Sequence, residues 1–307
     1  MDNPVFVIPT PDAPVLEQRV PGDFRQLRSR KARTAWLAAL DPVSDHELIS
    51  YLLTSYEFSW DTTRALELAL FRVFGVAKGS PLLVETGEFT RRTQKRYDDT
   101  VLILSEILEN GYDSPRGKVA LRRMNDQHRR FPIPNDEFLY TLSTFIFEPI
   151  RWNTRFGWRP LSENEKQASY IYWYELGKRM NIKDIPESYE AFERYNIDYE
   201  RTHFAYSESN HALAVATRNL LLGWVLPRFM QPVGAPFVHA LIDDPLLQAV
   251  GLPSPPRWLR QMVEGSMRLR ATLLRFMPLR HRARLLTRQK SRSYPQGYSV
   301  QQLGAHP

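Results

Sequence analysis

Residues 86–131, TGEFTRRTQKRYDDTVLILSEILENGYDSPRGKVALRRMNDQHRRF, contain two predicted helices with a short break between them. Strong helix formers predominate over 90–110, and Gly111 follows as the residue type that most often ends a helix. Pro115 stands where proline is tolerated in a first helical turn, so a second helix is predicted over 115–130. Two successive helices of this length indicate an α-helical fold.

The rest of the chain continues this pattern. The segments 44–47 (SDHE) and 162–165 (SENE) have the capping-box sequence that starts a helix, and Asp61 and Asn135 are predicted caps of two more. The additional predicted helices cover 44–58, 61–75, a stretch from 135 onward, 162–180, 187–206, 208–226 and 255–277. Because no strand-like alternation of useful length occurs, the predicted fold class is all-α.

The composition limits the classes of site that the chain can contain. It has 307 residues, 43% of them hydrophobic, enough for a substantial core in one large domain or in a close-packed pair. It has no cysteine, which excludes disulfides, thiolate metal ligands and iron–sulfur clusters. Any metal would therefore be bound by histidine or carboxylate. No basic segment followed by an apolar one occurs at the N-terminus, so no secretory signal is predicted and a cytoplasmic location is expected.

The positive charge is concentrated towards the C-terminal end. Residues 257–292 contain ten Arg and one Lys against one Glu, a net charge of +10, which leaves −3 for the rest of a chain whose total is +7. A nucleic-acid partner is therefore not expected. An apolar stripe in this segment is formed by Trp258, Met262, Leu269, Leu273 and Phe276. Either the stripe packs on the body while the arginines face water, or the helix docks on an anionic membrane surface.

One histidine lies on an apolar helix face. Leu121, Met124, His128 and Phe131 follow one another at three- and four-residue steps, which places them on the same side of the second helix. A histidine in such a stripe is more often a hydrogen-bonded core residue than a metal ligand. The spacing alone therefore leaves both interpretations open for His128.

The preceding helix carries polar residues on its apolar face. Arg96 and Thr100 share that face with Phe89, Ile103 and Ile107. A buried guanidinium is costly unless it is paired, so Arg96 is expected either to form an ion pair with a carboxylate such as Asp98 or Glu85, or to contact a ligand. If both helices line one cavity, Arg96 and Thr100 would provide hydrogen-bond donors opposite the imidazole of His128.

Several separate blocks of the sequence, in order, carry a resemblance to a known family. They are TGEFTRRTQKRYDDT (86–100), LRRMNDQHRRF (121–131), FLYTLSTFIFEPIRW (138–152), FGWRPLSENEK (156–166) and KRMNIKDIP (178–186). Together they resemble the catalytic domain of the MpaB and rubber-oxygenase (latex-clearing) family over roughly residues 22–230. The resemblance implies a single large helical domain with a globin-like core and additional surrounding helices.

The resemblance also implies a cofactor and three site residues. In that family an Arg and a Thr one helical turn apart lie on the distal side of haem b, and a His about thirty residues later is the proximal iron ligand. The matching positions are Arg96, Thr100 and His128. Arg96 and Thr100 are expected to contact the cofactor and to act in catalysis, and His128 is expected to bind the haem iron. The implied activity is that of a haem-dependent oxygenase.

Two features depart from the family pattern. Rubber oxygenases have a Lys just before the distal Thr, where this chain has Asp98 and Asp99, so an anion is expected beside the sixth coordination site of the iron. Alternatively, YDDT braces the helix. The active-site Glu of those enzymes has two candidates here, Glu85 and Glu88.

The sequence thus predicts three regions and leaves three functions open. Residues 1–21 are expected to form an extended N-terminal arm, 22–284 the haem-binding domain, and 285–307 a disordered basic and polar tail. The first function is a haem b oxygenase that uses dioxygen on a hydrophobic unsaturated, isoprenoid or lipid-like substrate, with a location at the inner face of the membrane. The alternatives are a non-catalytic haem protein and a membrane-peripheral scaffold without haem.

Overall fold

The computed structural model describes residues 13–305, and these residues form a single all-α domain. Their helices, in chain order, are α1 (Val15–Gln18), α2 (Gly22–Gln26), α3 (Arg30–Ala38), α4 (His46–Leu52), α5 (Ser59–Phe74), α6 (Ser80–Glu85), α7 (Thr93–Asn110), α8 (Pro115–His128), α9 (Asn135–Phe156), α10 (Glu163–Arg179), α11 (Tyr189–His203), α12 (Glu208–Gly223), α13 (Gln231–His239), α14 (Asp244–Ala249) and α15 (Arg257–Phe276). A π-helical turn, Leu53–Glu57, continues α4. The fold class predicted from the sequence is confirmed.

The two predicted capping boxes have different outcomes. Ser162 accepts a hydrogen bond from the Glu165 N–H at 3.3 Å, and the Glu165 carboxylate accepts one from the Ser162 N–H at 2.8 Å, so the box at α10 is confirmed. The box at 44–47 is wrong, because α4 begins only at His46. The carboxylate of Glu47 instead accepts a hydrogen bond from the Tyr112 N–H at 3.0 Å, which ties α4 to the end of α7.

The two predicted caps at Asp61 and Asn135 are also wrong in detail. Asp61 lies inside the first turn of α5, where its buried carboxylate accepts hydrogen bonds from Trp152 at 3.0 Å and Arg270 at 2.9 Å. Asn135 is the first residue of α9 rather than its cap, and its side chain donates to the Lys183 carbonyl at 3.0 Å. Both side chains therefore join separate elements instead of capping a helix.

The core is organised around α9, the longest helix of the described residues. It packs against α5, α10 and α11, and α7 packs against α8 beside it. The α9 side chains Leu142, Ile146, Phe147 and Ile150 are buried among the aromatic residues of α10 and α11. Because α5, α7, α8, α9 and α10 meet in this region, a cavity between them is enclosed by well-packed helices.

Arg72 ties four parts of the chain together. Its buried guanidinium, on α5, pairs with Glu148 of α9 at 2.7 Å and Glu200 of α11 at 3.1 Å, and also with Asp243, the N-cap of α14. Burial lowers the pKa of Arg72, but these three carboxylates outweigh that effect and raise it. The arginine therefore stays charged and fixes the positions of these helices.

The two ends of the chain differ from expectation. Of the predicted extended arm, residues 1–12 lie outside the described residues, and Val15–Gln18 forms a short helix with Leu16 buried. The expected disorder beyond residue 285 is wrong for the described residues up to 305. Residues 289–305 are here called the C-terminal segment. Leu303 is fully buried and Val300 nearly so. These two apolar anchors, together with hydrogen bonds to side chains of α7 and α8, dock a segment that has no helical periodicity.

The apolar stripe of α15 faces away from the body of the protein, contrary to the expectation that it packs there. Trp258, Leu269 and Phe276 are exposed, whereas Leu259 and Val263 on the other face pack against the body. Arg270 turns inward and pairs with Asp61 at 2.9 Å. The prediction that the stripe packs on the body is therefore wrong. Within residues 13–305, no helix combines the length and the apolar character needed to cross a membrane.

Candidate active site

A cavity of about 240 Å³ lies between α5, α6, α7, α8, α9 and α10. Its volume is close to the range of about 300–1,000 Å³ that is usual for small-molecule sites. Most of its walls are apolar, including Phe74, Phe89, Leu104, Phe131, Phe138 and Trp173. The same cavity is lined by Arg96, Thr100 and His128, so the structure brings together the three residues that the sequence singled out.

His128 is the last residue of α8 and faces the cavity with an unpaired ring. Its Nδ1 atom is buried and has no hydrogen-bond partner among the described residues, and its ring packs edge-on against Phe138 with 5.2 Å between the ring centres. Burial, and secondarily the charge of Arg96, lower the pKa of His128 to about 4. The imidazole is therefore neutral at physiological pH, the form that binds metals. The alternative that His128 is a hydrogen-bonded core residue finds no support in this geometry.

Arg96 lies on α7 with no carboxylate partner among the described residues. Its Nη1 donates to the Thr100 hydroxyl at 2.9 Å, and that hydroxyl donates to the Arg96 carbonyl at 2.8 Å. The guanidinium also stacks over Phe89, with 5.0 Å to the ring centre. Burial lowers the pKa of Arg96, against the opposing charges of Asp99 and Glu88. The expected ion pair with Asp98 or Glu85 is wrong, and the guanidinium lines the cavity while bonded to Thr100.

The two candidate glutamates are separated by the structure. Glu88 is buried, lines the cavity and pairs with Arg92. Glu85, at the end of α6, is exposed and does not line the cavity. Of the two, only Glu88 is placed to act on a molecule in the cavity.

The two aspartates that replace the family's Lys do not reach the cavity. Asp98 accepts hydrogen bonds from Gln94 at 3.0 Å and from the Ser293 N–H at 2.8 Å. Asp99 pairs with Lys95 at 2.7 Å and accepts a hydrogen bond from the Tyr294 hydroxyl. These contacts favour the alternative of a brace over an anion beside a bound iron, because this face of α7 is turned towards the C-terminal segment. The aspartates brace the helix against that segment.

Sequence reasoning missed three residues of the cavity wall. Gln127, next to His128, has both side-chain amide atoms buried without a partner among the described residues. Gly304 packs against Gln127, and Ala305 completes that part of the wall. The C-terminal segment carries no periodic signal, so its part in the site could not be read from the sequence. The polarity of Gln127 beside a stripe of apolar residues was the one available signal.

Three further histidines lie outside the lining of this cavity. His203 contacts the Tyr199 carbonyl at 3.0 Å, His211 the Val250 carbonyl at 3.1 Å and His239 the Pro253 carbonyl at 3.1 Å. In the part of the chain that the structure describes, no group of three or more His, Cys, Asp or Glu side chains could hold a metal ion. A metal in the cavity would need most of its ligands from its own cofactor.

Comparison with known proteins agrees with this arrangement. Residues 64–276 match the family described as "ER-bound oxygenase mpaB/B'/Rubber oxygenase, catalytic domain". The chain belongs to this family. The matched range contains Arg96, Thr100 and His128 and extends further towards the C-terminus than the resemblance read from the sequence.

Two fungal members of the mpaB/rubber-oxygenase family show the extent of the likeness. The "ER-bound oxygenase mpaB'" of Penicillium brevicompactum is 30% identical over 230 residues, which cover 69% of this chain and 54% of that protein. The "ER-bound oxygenase mpaB" of Penicillium roqueforti (strain FM164) is 30% identical over 212 residues, 63% of this chain and 71% of that protein. The chain thus spans about half of the length of the first of these relatives.

Proposed function

We propose that this chain is a haem b-dependent oxygenase that acts with dioxygen on a hydrophobic, unsaturated, isoprenoid or lipid-like molecule. The observation that carries the proposal is the ring of His128, which lies in the wall of an apolar cavity with its buried Nδ1 atom unpartnered among residues 13–305. The oxygenase family to which the chain belongs supports the reaction class. Arg96 and Thr100 line the same cavity and supply the polar groups of the site.

The donor set fits a haem better than a metal ion held by side chains. A porphyrin brings four nitrogen ligands of its own and needs only one or two from the protein. The cavity offers one free imidazole, from His128, and mostly apolar and aromatic walls that suit the faces of a macrocycle. Gln127 adds buried amide atoms without a partner among the described residues, and Arg96 adds a guanidinium at the same wall. The residues present therefore fit the cofactor that the family implies.

Each residue has a distinct chemical role in this proposal. Bound haem supplies the oxidising chemistry, and His128 holds it in place. Arg96 directs its free N–H groups into the cavity, held by its bond to Thr100, so that it orients dioxygen or the substrate. Glu88 provides a carboxylate at the same wall. The apolar walls exclude water and select a hydrophobic substrate.

Haem retention tests this function directly. Purified protein reconstituted with ferric haem b is expected to show a Soret band at one haem per chain after gel filtration. His128→Ala is expected to lose that band, whereas the control His203→Ala keeps it, since His203 lies outside the cavity. A wild-type protein that stays colourless would favour a scaffold without haem.

Oxygen consumption separates the oxygenase from a haem protein without catalysis. Arg96→Ala is expected to retain haem and to lower oxygen uptake on an unsaturated lipid such as squalene by at least about tenfold, because a preorganised donor is lost. Arg129→Ala, an exposed arginine one residue beyond α8, is the matched control. A haem-loaded wild-type protein that consumes no oxygen with a panel of unsaturated lipids would favour a sensor or storage protein instead.

A further inference from the structure

The surface around α15 exposes hydrophobic side chains that a water-soluble helix normally buries. Trp258 is 64% exposed, Leu269 60% and Phe276 83%. They lie on one side of α15, opposite the side that packs on the body through Leu259 and Val263. The helix therefore presents an apolar stripe to its surroundings.

A neighbouring stretch of chain also exposes hydrophobic side chains. Val225 is 76% exposed, Phe229 81% and Val233 69%, and Phe237 of α13 is also exposed. This stretch adjoins α15 because α13 packs against it. The combined surface, here called the apolar face, consists of Val225, Phe229, Val233, Phe237, Trp258, Met262, Leu269, Leu273 and Phe276.

Exposed large hydrophobic residues are concentrated in this part of the chain. Eleven of the fifteen exposed large hydrophobic side chains among residues 13–305 lie within 225–277. Singly scattered exposed hydrophobic residues need no explanation, whereas a contiguous group marks an interaction site. Elsewhere such residues are isolated, as Val43 and Ile197 are.

Arginines border the apolar face, and the nearby carboxylates are neutralised. Arg257, Arg268 and Arg275 are exposed along one edge of the α15 stripe. Glu264, the one acid of this helix, pairs with Arg155 and, at 3.9 Å, with Arg268, so two arginines share one carboxylate. Asp244 similarly pairs with Arg260 at 2.6 Å. The border thus carries a net positive charge that an anionic surface would complement.

We propose that the apolar face docks on the surface of an anionic lipid membrane. Its aromatic and aliphatic side chains would enter the boundary between headgroups and acyl chains while the flanking arginines contact lipid phosphates and carboxylates. A second copy of the chain fits less well, because a symmetric contact through this face would bring the two arginine borders together. The proposal does not depend on haem or on catalysis.

Binding to vesicles tests this placement. Full-length protein, with and without haem, is expected to co-float with vesicles of phosphatidylcholine and phosphatidylserine in a 4:1 ratio, and to bind pure phosphatidylcholine vesicles more weakly. Phe229→Ser combined with Phe276→Ser is expected to lower the affinity by at least about tenfold, because each phenylalanine loses apolar burial. The control pair Val43→Ser and Ile197→Ser, exposed hydrophobic residues outside the apolar face, should bind like the wild type.

The arginine border is tested separately. Arg257→Gln combined with Arg268→Gln is expected to weaken binding to the anionic vesicles by about 30-fold at low salt, since each basic residue near a lipid surface contributes about 1 kcal/mol. Arg129→Gln combined with Arg201→Gln, two exposed arginines on other surfaces, should leave the affinity unchanged.

Two results would overturn the assignment. One is a wild-type protein that floats with neither vesicle, and the other is a phenylalanine pair that binds as well as the wild type. A dimer in solution that the phenylalanine pair abolishes, together with no lipid binding, would assign the face to self-association. The vesicle assay measures neither haem binding nor turnover. A negative result would therefore contradict the membrane proposal and leave the oxygenase proposal unaffected.

Discussion

Arg72 and Arg96 are both buried guanidinium groups, but their surroundings are opposite. Three carboxylates surround Arg72, whereas Arg96 has the Thr100 hydroxyl and the ring of Phe89. A buried charge without a counter-charge lowers the stability of the fold unless a ligand compensates it. Arg96 has no direct carboxylate partner among the described residues, so the charges of Asp99 and Glu88 offset its burial only in part, and a ligand would compensate the rest.

Replacing each of these arginines by methionine should change stability in opposite directions. In the haem-free protein, Arg96→Met is expected to raise the free energy of unfolding by about 1 kcal/mol or more, because a desolvated guanidinium without a direct carboxylate partner is removed. Arg72→Met is expected to lower it by about 3–5 kcal/mol, since it leaves buried carboxylates unpaired. Urea denaturation measures both values. A destabilising Arg96→Met would show that the guanidinium is structural.

A buried carboxyl near the cavity should make stability depend on pH. Burial raises the pKa of Glu67 to about 7 from its ordinary 4.5, against the opposing effects of Arg64 and Tyr97. The folded state therefore holds a proton that the unfolded state releases, so the stabilising contribution is complete below pH 4.5 and is lost as the pH rises through 7. This shift corresponds to about 3 kcal/mol.

The Glu67→Gln variant isolates this effect. Its free energy of unfolding, relative to the wild type, is expected to increase by about 3 kcal/mol between pH 4 and pH 8, because the amide does not ionise. The difference between Glu187→Gln, an exposed position, and the wild type should stay flat over that range. Urea titrations at several pH values provide the comparison, and a flat Glu67→Gln difference would contradict the shift.

At the scale of residues, helical periodicity predicted which side chains meet but not what they bond to. It placed Arg96 and Thr100 on one face of α7 and His128 on one face of α8, and the structure finds all three around one cavity. It could not show that Arg96 lacks a carboxylate, or that Asp98 and Asp99 turn to the C-terminal segment, because those facts depend on chain segments far away in sequence. The hydrogen-bond partners of polar side chains depend on the tertiary structure, which helical periodicity does not give.

At the scale of elements, two similar tetrapeptides show how local signals succeed or fail. The 162–165 segment forms a complete capping box at the start of α10, whereas at 44–47 the glutamate is used by Tyr112 and the helix begins later. The same side chains had two possible partners, and tertiary packing chose between them. Helix positions were therefore predicted well and helix starts less well.

Alanine substitutions at the two serines should reveal this difference. Ser162→Ala is expected to lower the free energy of unfolding by about 1 kcal/mol, because it removes a helix cap. Ser44→Ala is expected to change it by less than about 0.5 kcal/mol, since α4 shows no side-chain cap. Equal effects in urea denaturation would show that the 44–47 segment caps α4 in solution.

The orientation of α15 was open from its sequence for a related reason. An amphipathic pattern fixes which residues share a side, but it does not say whether that side meets protein or the surroundings. The inward pairing of Arg270 with Asp61 and the burial of Leu259 settle the orientation in the fold. The pattern predicted the helix correctly, and only the packing revealed the exposed apolar face.

At the scale of the whole molecule, the C-terminal segment contributes to the fold although it lacks regular structure. Leu303 and Val300 are buried, and Arg123 of α8 donates to the Leu303 carbonyl at 2.6 Å. Composition suggested a disordered tail because polar residues predominate there. A few well-placed anchors outweigh that average when a groove between helices is available to receive them.

Shortening one anchor tests this contribution. Leu303→Ala is expected to lower the free energy of unfolding by about 2–5 kcal/mol, as for other fully buried leucines. Gln301→Ala, two residues away and exposed, is expected to have an effect below about 0.5 kcal/mol. If both variants unfold at the wild-type urea concentration, the segment is not docked in solution.

The position of Gly304 and Ala305 in the cavity wall has a practical consequence for handling the protein. An affinity tag fused after residue 307 would begin two residues from a wall that also contains His128. Such an addition could pull the segment off α8 and be mistaken for poor cofactor affinity. Purification through a cleavable tag at the opposite terminus would leave this side of the chamber untouched.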